Sequence, residues 1–129
     1  MQRMKARTAL MIVVILGVAL ELVVSGISAT AEAWDASSYW SVGYPVAVIL
    51  CGALGYSSPT HWQNHGPLLL GAQWLTMALG KAPGPHMIVG LAFAAALSVP
   101  CVVAGWVGAH TARHFTTTDD GEASPPPSP

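Results

Sequence analysis

Apolar residues run along this chain in four long blocks, parted by short stretches of polar and turn-forming residues. The first holds ALMIVVILGVAL and predicts a helix over residues 8–29. WSVGYPVAVILCGALGY predicts a second over 38–57, GPLLLGAQWLTMALG a third over 67–80, and the last block a fourth over 87–109. A helix that crosses a bilayer needs about 20 residues, which the first, second and fourth blocks supply. The third is short unless it begins earlier, within 61–66, or the bilayer thins around it. The breaks carry turn chemistry. Ser57-Ser58-Pro59 closes the second block, and Gly66-Pro67 opens the third with Pro at a favoured first helical position. Gly80-Lys81-Ala82-Pro83-Gly84-Pro85 is incompatible with a continuous helix. The expected fold is all-α: an integral membrane bundle of four transmembrane helices over residues 1–115. A disordered Pro-rich tail is expected over 116–129.

Composition agrees with that pattern. Hydrophobic residues make up 53% of the chain and charged residues 9%, against about 25% charged in a soluble domain. Between Thr8 and His110 the only charged residues are Glu21, Glu32, Asp35 and Lys81. The net charge of -1 provides no basic field, which argues against nucleic acid as a partner. The expected partners are the lipid bilayer and a second copy of the chain or another membrane protein. Cys51 and Cys101 lie inside apolar blocks and form no CxxC pair, so packing is their expected role.

The N-terminus admits a second reading. MQRMKAR, an apolar run and then Ala29-Thr30-Ala31 or Ala31-Glu32-Ala33 resemble a secretory leader with a small-residue cleavage site. Leu22-Val23-Val24 carries the apolar run on past Glu21, so that site falls at spanning distance and a retained helix is expected. With four helices, Arg3, Lys5, Arg7 and Arg113 share one side and Lys81 takes the other. Positive residues stay inside, which places both termini in the cytoplasm, with a bacterial inner membrane as the expected location. Trp34, Tyr39, Trp40 and Tyr44 would form the outer aromatic belt, and Trp62 and Trp106 the inner one.

Lipid gives helices no hydrophobic drive to associate, so close packing must come from small residues. Gly43, Ala47, Cys51 and Gly55 follow one another at four-residue steps in the second helix. Gly90, Ala94, Ser98, Cys101, Gly105 and Gly108 do so at steps of four or three in the fourth. These two faces are the expected seams, with Pro100 bending the fourth helix.

Among residues that can carry chemistry, Glu21 is the most informative. It lies about 13 residues, or about 20 Å, into the first helix, inside a hydrocarbon core about 30 Å thick. A charged carboxyl facing lipid there would cost on the order of several kcal/mol, so Glu21 is expected to face the bundle and to be neutral. Gly17, Ser25 and Ser28 share its face, giving a small polar stripe that can admit water, a cation or a partner helix. Gln73 in the third helix is expected to hydrogen-bond another helix. Glu21, Ser25 and Gln73 together form the candidate proton or cation site. Four histidines fall in pairs four residues apart, His61 with His65 and His110 with His114. Each pair can share a metal from a helix face, and the two together have enough ligands for a tetrahedral divalent metal site. No other cofactor is expected.

No nucleophile–base pair or phosphate loop is visible, so an enzyme is the least expected class. A small accessory or scaffold subunit acting by helix packing is the expected function. The alternative is a small oligomeric proton- or cation-coupled transporter using Glu21. Chain length, four helices and one acid in the first helix resemble the architecture of the small multidrug resistance transporters. In that family the first-helix acid is where protons and cationic drugs compete, and the resemblance implies that role for Glu21. The third helix, GPLLLGAQWLTMALG, and the long tail depart from the family pattern, and the chain is not assigned to it.

Overall fold

The computed structural model of the chain describes residues 5–28, 37–80 and 84–119. It contains four α-helices and, among the described residues, no strand. They are α1 (Ala6–Ser28), α2 (Tyr44–Ser57), α3 (Trp62–Leu79) and α4 (Pro85–Asp119), with a π-helical turn, Tyr39–Gly43, leading into α2. Three stretches are long and apolar enough to cross a membrane: Arg7–Ile27, Tyr39–Ser57 and Pro85–Phe115. The leader cleavage sites, the loop residues Glu32, Trp34 and Asp35, Lys81 and residues 120–129 of the tail lie outside the described residues.

Three boundaries differ from those expected. α3 starts at Trp62, so Pro67 sits inside the helix and does not open it. Pro67 is the sixth residue of α3 and gives the Gln63 carbonyl no i+4 donor, so the turn before it is held by burial of His65 and Gly66. The added turn brings α3 to 18 residues, about 27 Å at 1.5 Å per residue. α4 runs through Ala109 and past Phe115 to Asp119, into the segment expected to be disordered. Nothing in HTARHFTTTD breaks a helix; the first Gly after Gly108 is Gly121. The entry to α2 is a wide turn, with the Tyr44 N–H reaching the Tyr39 carbonyl. Pro45 follows and has no N–H to give. This is where an α-helical ladder would lose a bond, and π-helical turns often appear at such interruptions.

Specific contacts fix the helix directions. Trp40 meets Phe93 at 5.9 Å between ring centroids, and the Tyr44 hydroxyl donates to the Leu97 carbonyl at 3.0 Å. Further along, Gly52 faces Ala104 and Gly55 faces Gly105. α2 and α4 therefore run in the same direction. Trp74 Nε1 donates to the Met87 carbonyl at 3.1 Å, while Gly66 lies against Cys101 and Ser98, so α3 and α4 are antiparallel. α1 lies on α3, with Gly17 against Leu69 and Ala72, and meets the π-helical turn where Val24 touches Gly43. It barely reaches α2 and, among the described residues, makes no packing contact with α4. The lateral order is thus α2, α4, α3, α1, with α1 on the open flank.

The small residues explain the tightest of these contacts. A Cβ on Gly55 would fall on the Gly105 carbonyl, and one on Gly108 would fall on the Gly52 carbonyl. Two helices this close leave no room for side chains between their backbones. Cys51, Ala47, Cys101 and Ala94 continue the same interface as buried residues. Pro100 removes a donor from the ladder at the Ala96 carbonyl. The Tyr44 hydroxyl caps the neighbouring Leu97 carbonyl from across the seam, which ties α2 to the weakened turn of α4.

Candidate functional site

The register of α1 on α3 places the acid. Gly17 is pressed against Leu69 and Ala72, and Val24 against Gly43. Glu21 lies between those two contacts at helical spacing, so it occupies the same inward face. It is 4% exposed. Ser25, one turn further on, donates its hydroxyl to Glu21 Oε1 at 3.1 Å. α1 and α3 advance together, so one turn beyond the Gly17–Leu69 contact brings Glu21 to the level of Gln73.

Gln73 is fully buried, as is Tyr39 of the π-helical turn. The Tyr39 hydroxyl donates to Gln73 Oε1 at 3.0 Å. Gln73 Nε2 has no hydrogen-bond partner among the described residues. A buried amide donor left without an acceptor costs about 1–3 kcal/mol, so this position is suited to an added oxygen, from water or from a carboxyl group. This level of the bundle carries the Glu21–Ser25 pair of α1 and the hydrogen-bonded hydroxyl and amide of the π-helical turn and α3. It can hydrogen-bond a neutral acid, hold a proton in exchange, or accept a small polar guest.

Tyr39 is a correction. The aromatic belt was its expected place, yet its ring is buried and its hydroxyl is inside the bundle. The wide turn rotates it off the surface that Trp40, at 43% exposed, keeps. The signal was in the chain: Tyr39 continues the series Gly43, Ala47, Cys51, Gly55 backwards by one step of four. The Ser28 side chain, expected on the Glu21 face, lies outside the described residues.

The four histidines are not brought together. His65 is sealed in the interior with neither ring nitrogen hydrogen-bonded among the described residues, and His61 is half-buried at the turn before α3. His110 and His114 project from the exposed surface of α4, their Nε2 atoms 2.9 Å apart. Among the described residues no three His, Cys, Asp or Glu side chains gather as a metal would require. The expected tetrahedral group of His61, His65, His110 and His114 is therefore not assembled, because one of its members is buried on the inward face of α3 and two point outwards.

No protein family, curated protein or solved structure matches the chain. No residue inherits a role from a relative, and the functional reading rests on the geometry above.

Tyr39→Phe is expected to destabilise the chain by about 1–2 kcal/mol, because it leaves both ends of the buried Gln73 amide without partners. Adding Gln73→Leu should recover most of that loss, since removing both partners removes the unsatisfied group. Unfolding in detergent of the two single variants and the double variant checks this. Simple addition of the two losses would show that the Tyr39–Gln73 bond does not join these elements.

Proposed function

We propose that this chain is an integral membrane protein whose four helices all cross the bilayer, with both ends in the cytoplasm of a bacterial cell. In this reading it acts as an accessory or scaffold subunit through helix packing. The observation that carries the membrane assignment is the inverted distribution of polarity. Glu21, His65 and Gln73 are buried, while Ile27 is 79% exposed and Ile88 is 76% exposed. Water would favour the opposite arrangement, and lipid favours this one. α3, the least apolar of the four, turns its polar residues His65 and Gln73 inwards and leaves Leu68, Leu75 and Leu79 outside.

The scaffold role draws on the open flank. The small residues of α4 are used up against α2 and α3, where Gly90 meets Trp74 and Ser98 meets Gly66, whereas α1 is held along one side only. Gly26 of α1 and Gly71 of α3 have no neighbouring atom where a Cβ would stand, and small residues of this kind let a further helix approach closely. A second reading, a small oligomeric proton- or cation-coupled transporter, is favoured by one observation: Gln73 Nε2, buried at the level of Glu21 and without a hydrogen-bond partner among the described residues.

Two variants separate these readings. Glu21→Gln keeps shape and hydrogen bonding but removes titration, and Glu21→Ala removes both. A scaffold keeps its oligomer or complex with Gln and loses it with Ala. A carrier inserts and assembles with either variant and loses proton- or cation-coupled uptake into vesicles with both. Normal assembly and normal uptake in Glu21→Ala would remove Glu21 from either role.

A further inference from the structure

We propose that His110 and His114 form a two-histidine binding site for a late first-row divalent cation, with Cu2+ bound most tightly. The two rings stand four residues apart on one face of α4, and their Nε2 atoms face each other at 2.9 Å. One nitrogen donates to the other in the metal-free pair. Two ligand nitrogens about 2.0–2.1 Å from an ion and at right angles to each other lie about 2.9 Å apart, so the pair already has the spacing of neighbouring positions on a tetragonal or octahedral centre. Imidazole ligands in that geometry suit Cu2+ and Ni2+, and Cu2+ stands highest in the affinity order of these ions. The remaining positions are open to water, because both side chains are exposed.

Two contacts hold the pair in place. Trp106 stacks on His110, ring centroids 5.5 Å apart and planes 19° apart, which fixes that ring. Arg113 Nη2 donates to the Pro59 carbonyl at 3.0 Å and fastens this end of α4 to the turn between α2 and α3. A ligand pair that is ordered before the ion arrives loses less freedom on binding. This site differs from the four-histidine group expected above: it needs neither His61 nor His65.

The test is titration of the full-length chain in detergent with Cu2+, followed by electron paramagnetic resonance and calorimetry. The expected result is one Cu2+ per chain with a spectrum showing nitrogen ligands. Loss of an outer-shell partner weakens a metal site by about 10–100-fold, so His110→Ala and His114→Ala should each weaken binding by at least about tenfold. His61→Ala and His65→Ala should leave it unchanged, and Ni2+ should compete. Absence of saturable binding, or binding that survives the His110→Ala/His114→Ala double variant, would overturn the proposal. Loss of binding in His61→Ala or His65→Ala would overturn the two-histidine site in favour of a larger one.

Discussion

Gly55→Leu and Gly108→Leu should each unfold the α2–α4 pair, with a loss at or above the upper end of the about 1–3 kcal/mol usual for overpacking. At both positions the new Cβ would fall on backbone, the Gly105 carbonyl in one case and the Gly52 carbonyl in the other. A flexible side chain can turn aside, but a helix backbone must move as a whole. The two helices would have to separate along the seam that also carries Cys51 and Cys101, and the Tyr44–Leu97 bond would break with it. Gly26→Leu and Gly71→Leu are the matched controls, since nothing stands near a Cβ at either position. In the isolated chain they should be close to neutral. Unfolding in detergent of all four variants checks this, and equal losses at Gly26 and Gly108 would refute the seam.

Gly17→Leu should detach α1. Its Cβ would fall on the Leu69 carbonyl, at the contact that sets the register of α1 on α3. Ala9, Val13 and Glu21 are buried on the same side of α1, but among the described residues α1 packs mainly on α3, so a backbone clash at Gly17 lifts that whole face. Only the meeting of Val24 with the π-helical turn and a slight contact with α2 remain. The consequence reaches the polar cluster, because Glu21 is buried only while α1 lies on α3. Glu21→Ala alone is expected to cost about 1–3 kcal/mol through the partners it strands. In a Gly17→Leu background it should cost almost nothing, since the cluster is already open. The double-mutant cycle measures this directly. Additive losses would mean that Glu21 is held by something other than the Gly17–Leu69 contact.

The helices were largely legible because apolar length and turn chemistry act locally. Ser57-Ser58-Pro59 and the Pro-Gly-Pro run at 83–85 mark ends that no tertiary contact needs to create. The start of α3 was not legible in the same way. Trp62 to Gly66 is polar and is followed by Pro, and it becomes helical through burial of His65 and Gly66 against the rest of the bundle, a long-range effect. The small-residue spacing marked the α2 and α4 faces, and they meet at Gly55–Gly105 and Gly52–Gly108, while Gly90 and Ser98 of the α4 series pack on α3 instead. The stripe of Gly17, Glu21 and Ser25 marked the inward face of α1, but nothing in it told whether α3 or α4 would be the helix that it meets.

In the candidate site, Glu21, Ser25 and Gln73 stood out as polar groups in apolar surroundings, and the burial of Glu21 and Gln73 follows from that chemistry, with Ser25 half-buried beside Glu21. Tyr39 did not, because an aromatic residue near a helix end is usually read as an interfacial anchor. Its inward turn comes from the π-helical geometry before Pro45, which periodicity of 3.6 does not anticipate. The histidine pairs illustrate the limit of spacing. Both are four apart, yet His110 and His114 face each other on one helix, while His61 precedes α3 and only His65 lies within it.

The most direct test of the central claim, a chain that crosses the bilayer four times, is a pair of reporter fusions. One is joined after Lys81 and the other after Arg113, and each is read with a reporter active outside the cytoplasm and another active inside. Four crossings with the positive ends inside put the Lys81 fusion outside and the Arg113 fusion in the cytoplasm. A tail exposed to the outside, or a mature N-terminus beginning near Trp34, would contradict the account.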